Sequence, residues 1–214
     1  LFPYTTLFRS WRTTHGDFLG CGYCKTGKHV SAHFDPIIAV FSPIYMMNPR
    51  AETLLVLQSV WLATGVAPLY LLGTKRLGNP WFGVLLAATY VLYPALHGAN
   101  LFDFHSLTLV VPSLLWAIWF IDSGARFRYW LALALMLLTR EDMSLLACFV
   151  GAYAILQRRP LTGLATIVVA IAYLAFVKLK MMNDPGLMMA GGKDSMSYVF
   201  FYEDMIPHES EGLR

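Results

Sequence analysis

The chain has 214 residues, of which 57% are hydrophobic and 14% are charged, and its formal net charge is +3. Soluble domains have about 25% charged residues, so this composition excludes an ordinary soluble domain and leaves a soluble all-helical core as a minor alternative. The small positive charge gives no argument for a nucleic-acid partner. Long apolar runs between short charged loops predict an all-α integral membrane protein, a multi-span helical bundle whose partner is the lipid bilayer.

Composition divides the chain into four regions. Residues 1–10, LFPYTTLFRS, resemble translated sequencing-adapter sequence, so we expect a non-native artefact there, with a genuine amphipathic segment as the alternative. Residues 11–48 are predicted to form an extracytoplasmic loop with an interfacial helix, because PIIAVFSPIYMM is apolar but too short to cross a bilayer. We expect residues 49–182 to form the transmembrane helical bundle. Residues 183–214 are expected to start an extracytoplasmic segment that is truncated.

About six spanning or partly spanning helices are predicted within the bundle. The apolar runs that predict them are 49–72, 81–96, 107–121, 129–138, 143–156 and 161–177. The runs on either side of Arg140, Glu141 and Asp142 are both shorter than the roughly 20 residues that a crossing helix needs. We therefore expect a hairpin that brings these charges to one face of the membrane, with one long kinked helix as the alternative.

Basic residues orient the predicted bundle. Alternate short loops carry Lys75 and Arg76, Arg126 and Arg128, and Arg158 and Arg159. The positive-inside rule places these three loops on the cytoplasmic side, although Lys178 and Lys180 fall on the opposite one. Three other segments then reach one common, non-cytoplasmic face, and they contain His33 and Asp35, Asp103 and His105, and residues 140–142.

Charged side chains at membrane depth cost at least a few kcal/mol each unless they are paired or face water, so this cluster indicates a functional site. Carboxylates can accept a proton from an attacking hydroxyl or hold a divalent cation, and a guanidinium suits a phosphate. A substrate with a lipid tail, a phosphate and a sugar fits such a place. The alternative is that Arg140 pairs with Glu141 or Asp142 only to neutralise a buried turn.

Several strings carry a resemblance to a known family. HGDFLG, HFDPIIAVFSPIYMMNPRAETLLVLQS, YPALHGANLFDFHS and LLTREDMSLL resemble the bacterial membrane-protein family called domain of unknown function 2079. That family is similar to the type C glycosyltransferases, multi-span enzymes that use polyprenyl-phosphate sugar donors at the outer membrane face. The resemblance therefore implies a fragment of a type C-like glycosyltransferase of the bacterial cytoplasmic (inner) membrane, with a polyprenyl-phosphate-linked sugar as substrate and an extracytoplasmic active face.

The resemblance also implies site residues. In such folds the aspartate considered catalytic follows a first transmembrane helix that this chain lacks, so either Asp35 replaces it or, as we favour, it lies in the missing segment. The candidate catalytic residues are Glu141, Asp142, Asp103 and Asp35, and the candidate substrate-binding residues are Arg140, His105, His33 and Asn100. We assign no metal ligand. The cofactor stays open, with a divalent cation as one candidate.

Other readings of the sequence stay open. Cys21 and Cys24, followed by His29 and His33, have a spacing that zinc accepts, but a disulfide or two free thiols fit an oxidising compartment at least as well. The charged turn also suits a transporter or flippase with a gated polar pathway, or a structural subunit without chemistry. Transporters often have related halves, and this sequence has no detectable repeat, which favours the enzyme. The oligomeric state does not follow from the sequence.

Overall fold

The computed structural model describes residues 5–20 and 33–182. Within these two ranges the chain forms ten α-helices and no strand, which confirms the all-α prediction. A 3₁₀ turn at Ser106–Leu109 precedes the seventh helix, and a π-helical turn at Val177–Met181 follows the tenth. In chain order the helices are α1 (Thr5–Thr14), α2 (Ile37–Met47), α3 (Ala51–Ala63), α4 (Val66–Leu77), α5 (Pro80–Val91), α6 (Pro94–Phe102), α7 (Val110–Ser123), α8 (Arg126–Thr139), α9 (Met143–Leu156) and α10 (Pro160–Phe176).

Three helical segments are long and apolar enough to cross a membrane, namely Ala51–Leu77, Ser106–Ser123 and Pro160–Met181. Helices α5 and α6 supply a fourth span if they are counted together, although they are bent by 43° where they meet. Of the predicted six or so spanning or partly spanning helices, three or four in the described part of the chain are long enough to cross a membrane, and α8 and α9 are not. The reason is length, because α8 and α9 have 14 residues each and extend for about 21 Å, whereas the hydrocarbon core is about 30 Å thick.

Helices α8 and α9 form the expected hairpin rather than one kinked helix. Helix α8 ends where Arg140 adopts an extended backbone, with φ −169° and ψ 151°. Helix α9 then runs back along the bundle, so that the Tyr153 hydroxyl donates to Asp122 Oδ1 over 2.8 Å near the start of α8. The charged turn therefore lies at the opposite end of the bundle from Asp122.

Four residues from three helices form a polar cluster at one end of the bundle, which we call the basic end: Lys75, Arg76, Asp122 and Tyr153. The Arg76 guanidinium donates to both Asp122 carboxylate oxygens, over 2.7 and 2.8 Å, and to the Tyr153 hydroxyl over 2.6 Å. Lys75 Nζ donates to the Asp122 carbonyl oxygen over 2.6 Å. Helices α4, α7 and α9 are thus joined by charge-assisted hydrogen bonds.

Two glycines set the spacing of α9 and α10. A Cβ added to Gly151 would lie 2.8 Å from the Gly163 carbonyl oxygen, and one added to Gly163 would overlap the Gly151 carbonyl oxygen. Only glycine at both positions lets the two backbones approach so closely. This tight pair carries Glu141 just before α9 and Lys178 just after α10, and both lie far from the basic end.

A buried apolar cluster supports the end of the bundle that holds the charged turn. Ile37, Ile38 and Tyr45 of α2 pack there with Leu109 and Val177, and all five are buried. Helix α2 is therefore fixed to the bundle by its apolar face. The prediction that it lies along the membrane interface stays a prediction.

Candidate functional site

The turn between α8 and α9 separates its three charges into two environments. Arg140 turns toward Asp142, donating from Nε to Oδ1 over 2.7 Å and from Nη2 to Oδ2. Both side chains are about one-quarter exposed. Glu141 points the other way and is completely buried. The sequence analysis offered the alternative that Arg140 pairs with a neighbouring acidic residue, and Arg140 does pair with Asp142. Glu141 has different partners.

Glu141 is held by the segment that precedes α2. Its Oε2 accepts a hydrogen bond from the Phe34 backbone N–H over 2.9 Å, and its Oε1 lies 3.1 Å from His33 Nδ1. Lys178 Nζ lies 4.0 Å from the same Oε1. Burial raises the pKa of Glu141, but the hydrogen bonds from His33 and Phe34 outweigh it and leave the pKa below its usual value. The carboxyl is therefore held ionised in a buried position.

Asp35 lies two residues along from His33 and is also buried, with 2% of its surface exposed. Its Oδ2 accepts hydrogen bonds from Arg9 over 2.7 Å and from Ser106 over 3.2 Å. Its Oδ1 is buried and has no hydrogen-bond partner in the described part of the chain. Burial raises the pKa of Asp35, and the opposing effects of Arg9 and Ser106 do not cancel it. Two carboxyls of one site thus have pKa values moved in opposite directions.

Gln58 of α3 binds the loop after α6, which carries Asp103 and His105, to the bundle. It is fully buried, and its Oε1 accepts from the His105 backbone N–H and from the Thr108 hydroxyl, both over 2.9 Å. Its Nε2 donates to the Asp103 carbonyl oxygen over 3.3 Å and to Asn100 Oδ1 over 3.4 Å. One amide side chain therefore provides hydrogen-bond partners for the Asp103 carbonyl and the His105 N–H, which have no helical partner after α6 ends.

The loop after α6 holds the remaining candidates. Asp103 Oδ1 accepts from the Phe104 N–H over 2.7 Å, and the carboxylate is partly exposed. The exposed His105 ring lies with Nδ1 3.2 Å from the Asp103 carbonyl oxygen. Asn100 accepts a 3.0 Å hydrogen bond from Ser59, so its amide is engaged within the bundle. A cavity of about 460 Å³ opens beside this loop, and it is lined by Gly98, Ala99, Phe102, His105, Leu107 and Thr108.

We call this assembly the carboxylate end. It joins all three predicted segments, because Glu141 contacts residues 33–34, Asp35 contacts Ser106, and the loop that contains Ser106 also carries Asp103 and His105. The structure gives no contact between the Asp103 and Glu141 carboxylates. It does place both loops at one end of the bundle, as the sequence predicted.

Sequence reasoning missed several residues of the carboxylate end. Gln58 has a detectable signal, since it is a lone amide within the apolar run LLVLQSVWL and an amide buried there needs partners. Ser106 gives no such signal. Two further hydroxyls near the site, those of Ser144 and Tyr173, are buried without a hydrogen-bond partner among residues 5–20 and 33–182.

The described residues do not form a cluster of metal ligands. Within residues 5–20 and 33–182, no group of three or more His, Cys, Asp or Glu side chains has the geometry to hold a metal ion. Cys21, Cys24 and His29 lie outside the described residues, so the zinc, disulfide and thiol alternatives stay predictions. Helix α1 covers part of residues 1–10, and the artefact assignment of that segment also stays a prediction.

Comparison with known families agrees with the helical architecture. The family model described as "Predicted membrane protein (DUF2079)" matches residues 6–200. The match covers most of the chain, begins within the segment 1–10 and includes every candidate site residue. No curated protein and no solved structure matches the chain.

Proposed function

Because the chain belongs to the DUF2079 family of predicted membrane proteins, we propose that it is part of a glycosyltransferase of the bacterial inner membrane. The enzyme transfers a sugar from a polyprenyl-phosphate donor to an acceptor at the extracytoplasmic face. The lipid tail of the donor lies in the bilayer, and its phosphate and sugar reach the carboxylate end. The positive-inside rule supports this orientation, because the opposite end carries the basic loops.

One observation carries the proposal. Segments separated by more than one hundred residues meet at Glu141, which is buried, ionised and bonded to His33 and Phe34. An ionised carboxylate out of water is expensive, and a chain that needed only packing would have an apolar residue there. Carboxyls whose pKa values are shifted by burial and by specific partners are typical of acid–base sites.

The contacts suggest separate roles for the carboxylates. Both oxygens of Glu141 are engaged, so Glu141 positions residues 33–35 rather than accepting the substrate proton. Asp103 is partly exposed and lies in the loop beside the cavity, which suits a general base. Asp35, whose pKa burial raises, is the second candidate for that base. Asp142 holds Arg140 until the donor phosphate competes for the guanidinium.

The reaction follows from these roles. The carboxylate of Asp103 accepts the proton of the acceptor hydroxyl. At the same time the hydroxyl oxygen of the acceptor attacks the anomeric carbon of the sugar. The new carbon–oxygen bond forms as the bond to the phosphate oxygen breaks, and its electron pair leaves with the polyprenyl phosphate. The configuration at the sugar carbon inverts. Arg140 stabilises the negative charge on the leaving phosphate, and His33 and His105 bind the sugar and the acceptor. Asn100, whose amide oxygen is engaged by Ser59 and Gln58, positions the loop that carries Asp103 and His105.

The test uses membranes that contain the protein, assayed for transfer from radiolabelled polyprenyl-phosphate sugars. We expect Asp103→Asn to lower the transfer rate by about 100-fold or more, as for loss of a general base. Glu141→Gln and Asp142→Asn should also lower it. Asp122→Asn at the basic end is the matched control and should leave the rate within about twofold of the parent. Unchanged transfer in all three site variants would overturn the site assignment.

A second function has one observation in its favour. The 43° break between α5 and α6 places an interrupted helix next to the polar loop, as in transporters that bind substrate at broken helices. Proteoliposomes separate the two functions. Transbilayer movement of a polyprenyl-phosphate sugar, with no transfer to any acceptor and with sensitivity to the same variants, would identify a flippase instead.

A further inference from the structure

An apolar groove runs between α7 and α8, away from the carboxylate end. It encloses about 330 Å³, and its walls include Trp61, Trp116, Phe120, Leu131 and Leu135. Trp116 and Phe120 stack with their ring centres 5.2 Å apart and form one wall of the groove. Leu131 is half exposed, so the groove opens sideways toward the hydrocarbon of the bilayer.

Arg128 closes the groove at the end nearest the basic loops. Its side chain is exposed and makes no ion pair or hydrogen bond within the described ranges. It lies in the first turn of α8 together with Arg126, and that turn contains no acidic residue. Cations at a helix N-terminus oppose the helix dipole, so an anion placed there would be attracted by the two guanidiniums and by the positive end of the dipole.

The dimensions of the groove suit a lipid chain. Arg128 and Leu135 are seven residues apart on one helix, which corresponds to about 10 Å along the axis. One leaflet contributes about 15 Å of hydrocarbon, so the groove covers most of the depth of a single leaflet from the basic side. Apolar walls below and a cation at the membrane surface match the two parts of a phospholipid.

We propose that this groove binds one anionic phospholipid from the leaflet on the basic side. One acyl chain lies against Trp116 and Phe120, and the headgroup phosphate pairs with Arg128. A net negative headgroup is preferred over a zwitterionic one, because Arg126 adds positive charge, the first turn of α8 has no acidic residue, and the Asp122 carboxylate at the end of α7 is already bonded to Arg76 and Tyr153. The site is independent of the sugar-transfer chemistry, which lies at the other end of the bundle.

Tryptophan fluorescence tests the proposal directly. The protein is placed in phosphatidylcholine nanodiscs and titrated with phosphatidylglycerol or phosphatidylcholine, each brominated on the acyl chains. Bromine quenches a tryptophan that it touches, and subtraction of the Trp116→Phe signal isolates the contribution of Trp116. We expect half-maximal quenching at about fivefold less phosphatidylglycerol than phosphatidylcholine, as one basic residue near a membrane surface provides.

Variants decide which residue selects the lipid. Arg128→Gln should remove the preference, whereas the matched control Arg126→Gln, in the same turn but outside the groove, should keep most of it. Leu131→Trp, which fills the lateral opening, should reduce quenching of Trp116 by both lipids. Equal quenching of the parent by the two lipids would overturn the proposal. A preference that survives Arg128→Gln, or that both arginine variants lose equally, would overturn it as well.

Discussion

Two polar clusters lie at opposite ends of the same helical bundle and differ in how their charges are satisfied. At the basic end, Arg76, Asp122 and Tyr153 form a closed ring of hydrogen bonds, and the Arg76 side chain is nearly half exposed. At the carboxylate end, Glu141 and Asp35 are buried, and Asp35 Oδ1 has no partner among the described residues. The first cluster holds helix ends together, and the second keeps costly groups out of water.

The difference is the basis on which we propose a structural role for one cluster and a functional role for the other. An exposed ion pair contributes little to stability and is easily replaced, so its presence says little about function. A buried carboxyl with an unused oxygen lowers stability and persists where a ligand, a water molecule or a reaction uses it. The comparison therefore predicts that equivalent substitutions at the two ends have unequal effects on stability and activity.

Removal of the Glu141 carboxylate should give the largest effect. Glu141→Ala leaves the buried Phe34 N–H without its acceptor and removes the contact with His33, whose side chain is 41% exposed. The unsatisfied N–H costs about 1–3 kcal/mol, and the cavity left by the side chain adds to that loss. The measurement is chemical or thermal unfolding of the detergent-solubilised protein. Asp142→Ala is the matched control, because its pair with Arg140 is partly exposed and contributes about 0–1 kcal/mol. Equal losses in the two variants would contradict the distinction between buried and exposed charges.

Sequence alone predicted the elements better than their connections. Apolar run lengths predicted the helices, and the charges at 140–142 predicted the hairpin, because these signals depend on neighbours along the chain. The partners of Glu141 did not follow, since they lie more than one hundred residues away and one of them is a backbone N–H. The Gly151–Gly163 approach was also missed, because spacing between helices depends on which faces meet. The chemical roles of the carboxylates stay proposals for the same reason.

The close glycine contact between α9 and α10 should be the next most sensitive point. Gly163→Leu forces the two helices apart and costs about 1–3 kcal/mol by overpacking. Unfolding measurements report the loss, and sugar transfer should fall with it. Gly98→Ala is the control, because a Cβ there meets no neighbour within 4 Å and should stabilise helix α6 slightly. If Gly163→Leu were as stable as Gly98→Ala, the close approach would not contribute to holding α9 against α10.

The pH dependence of stability should distinguish the two buried carboxyls, Glu141 and Asp35. The pKa of Glu141 lies below its usual value of 4.5, so its contribution is present above pH 4.5 and is lost as the pH falls through the lowered pKa. The pKa of Asp35 lies above its usual 3.8, so its contribution is present below pH 3.8 and is lost as the pH rises through the raised pKa.

Melting temperatures between pH 3 and pH 8 therefore distinguish the two residues. Glu141→Gln should flatten the loss of stability on the acid side, and Asp35→Asn should flatten the loss as the pH rises. The direction for Asp35 does not depend on Arg9, because that residue opposes the burial effect and its removal would raise the pKa further. Profiles of both variants that run parallel to the parent would contradict the opposite shifts.

The smallest effect is expected at the basic end, where a double-mutant cycle of Arg76→Gln and Asp122→Asn measures the coupling between the two side chains. We expect about 1 kcal/mol, the upper end of the range for surface pairs, because nearly half of the Arg76 side chain is in water although the Asp122 side chain is 3% exposed. Salt sharpens the comparison, since raising the ionic strength to about 1 M shortens the screening length to about 3 Å and should weaken this pair. The contacts of Glu141 are buried and should change little over the same range. A coupling at Arg76–Asp122 that is large and insensitive to salt would make the basic end as dependent on burial as the carboxylate end, and stability would then no longer separate the structural cluster from the functional one.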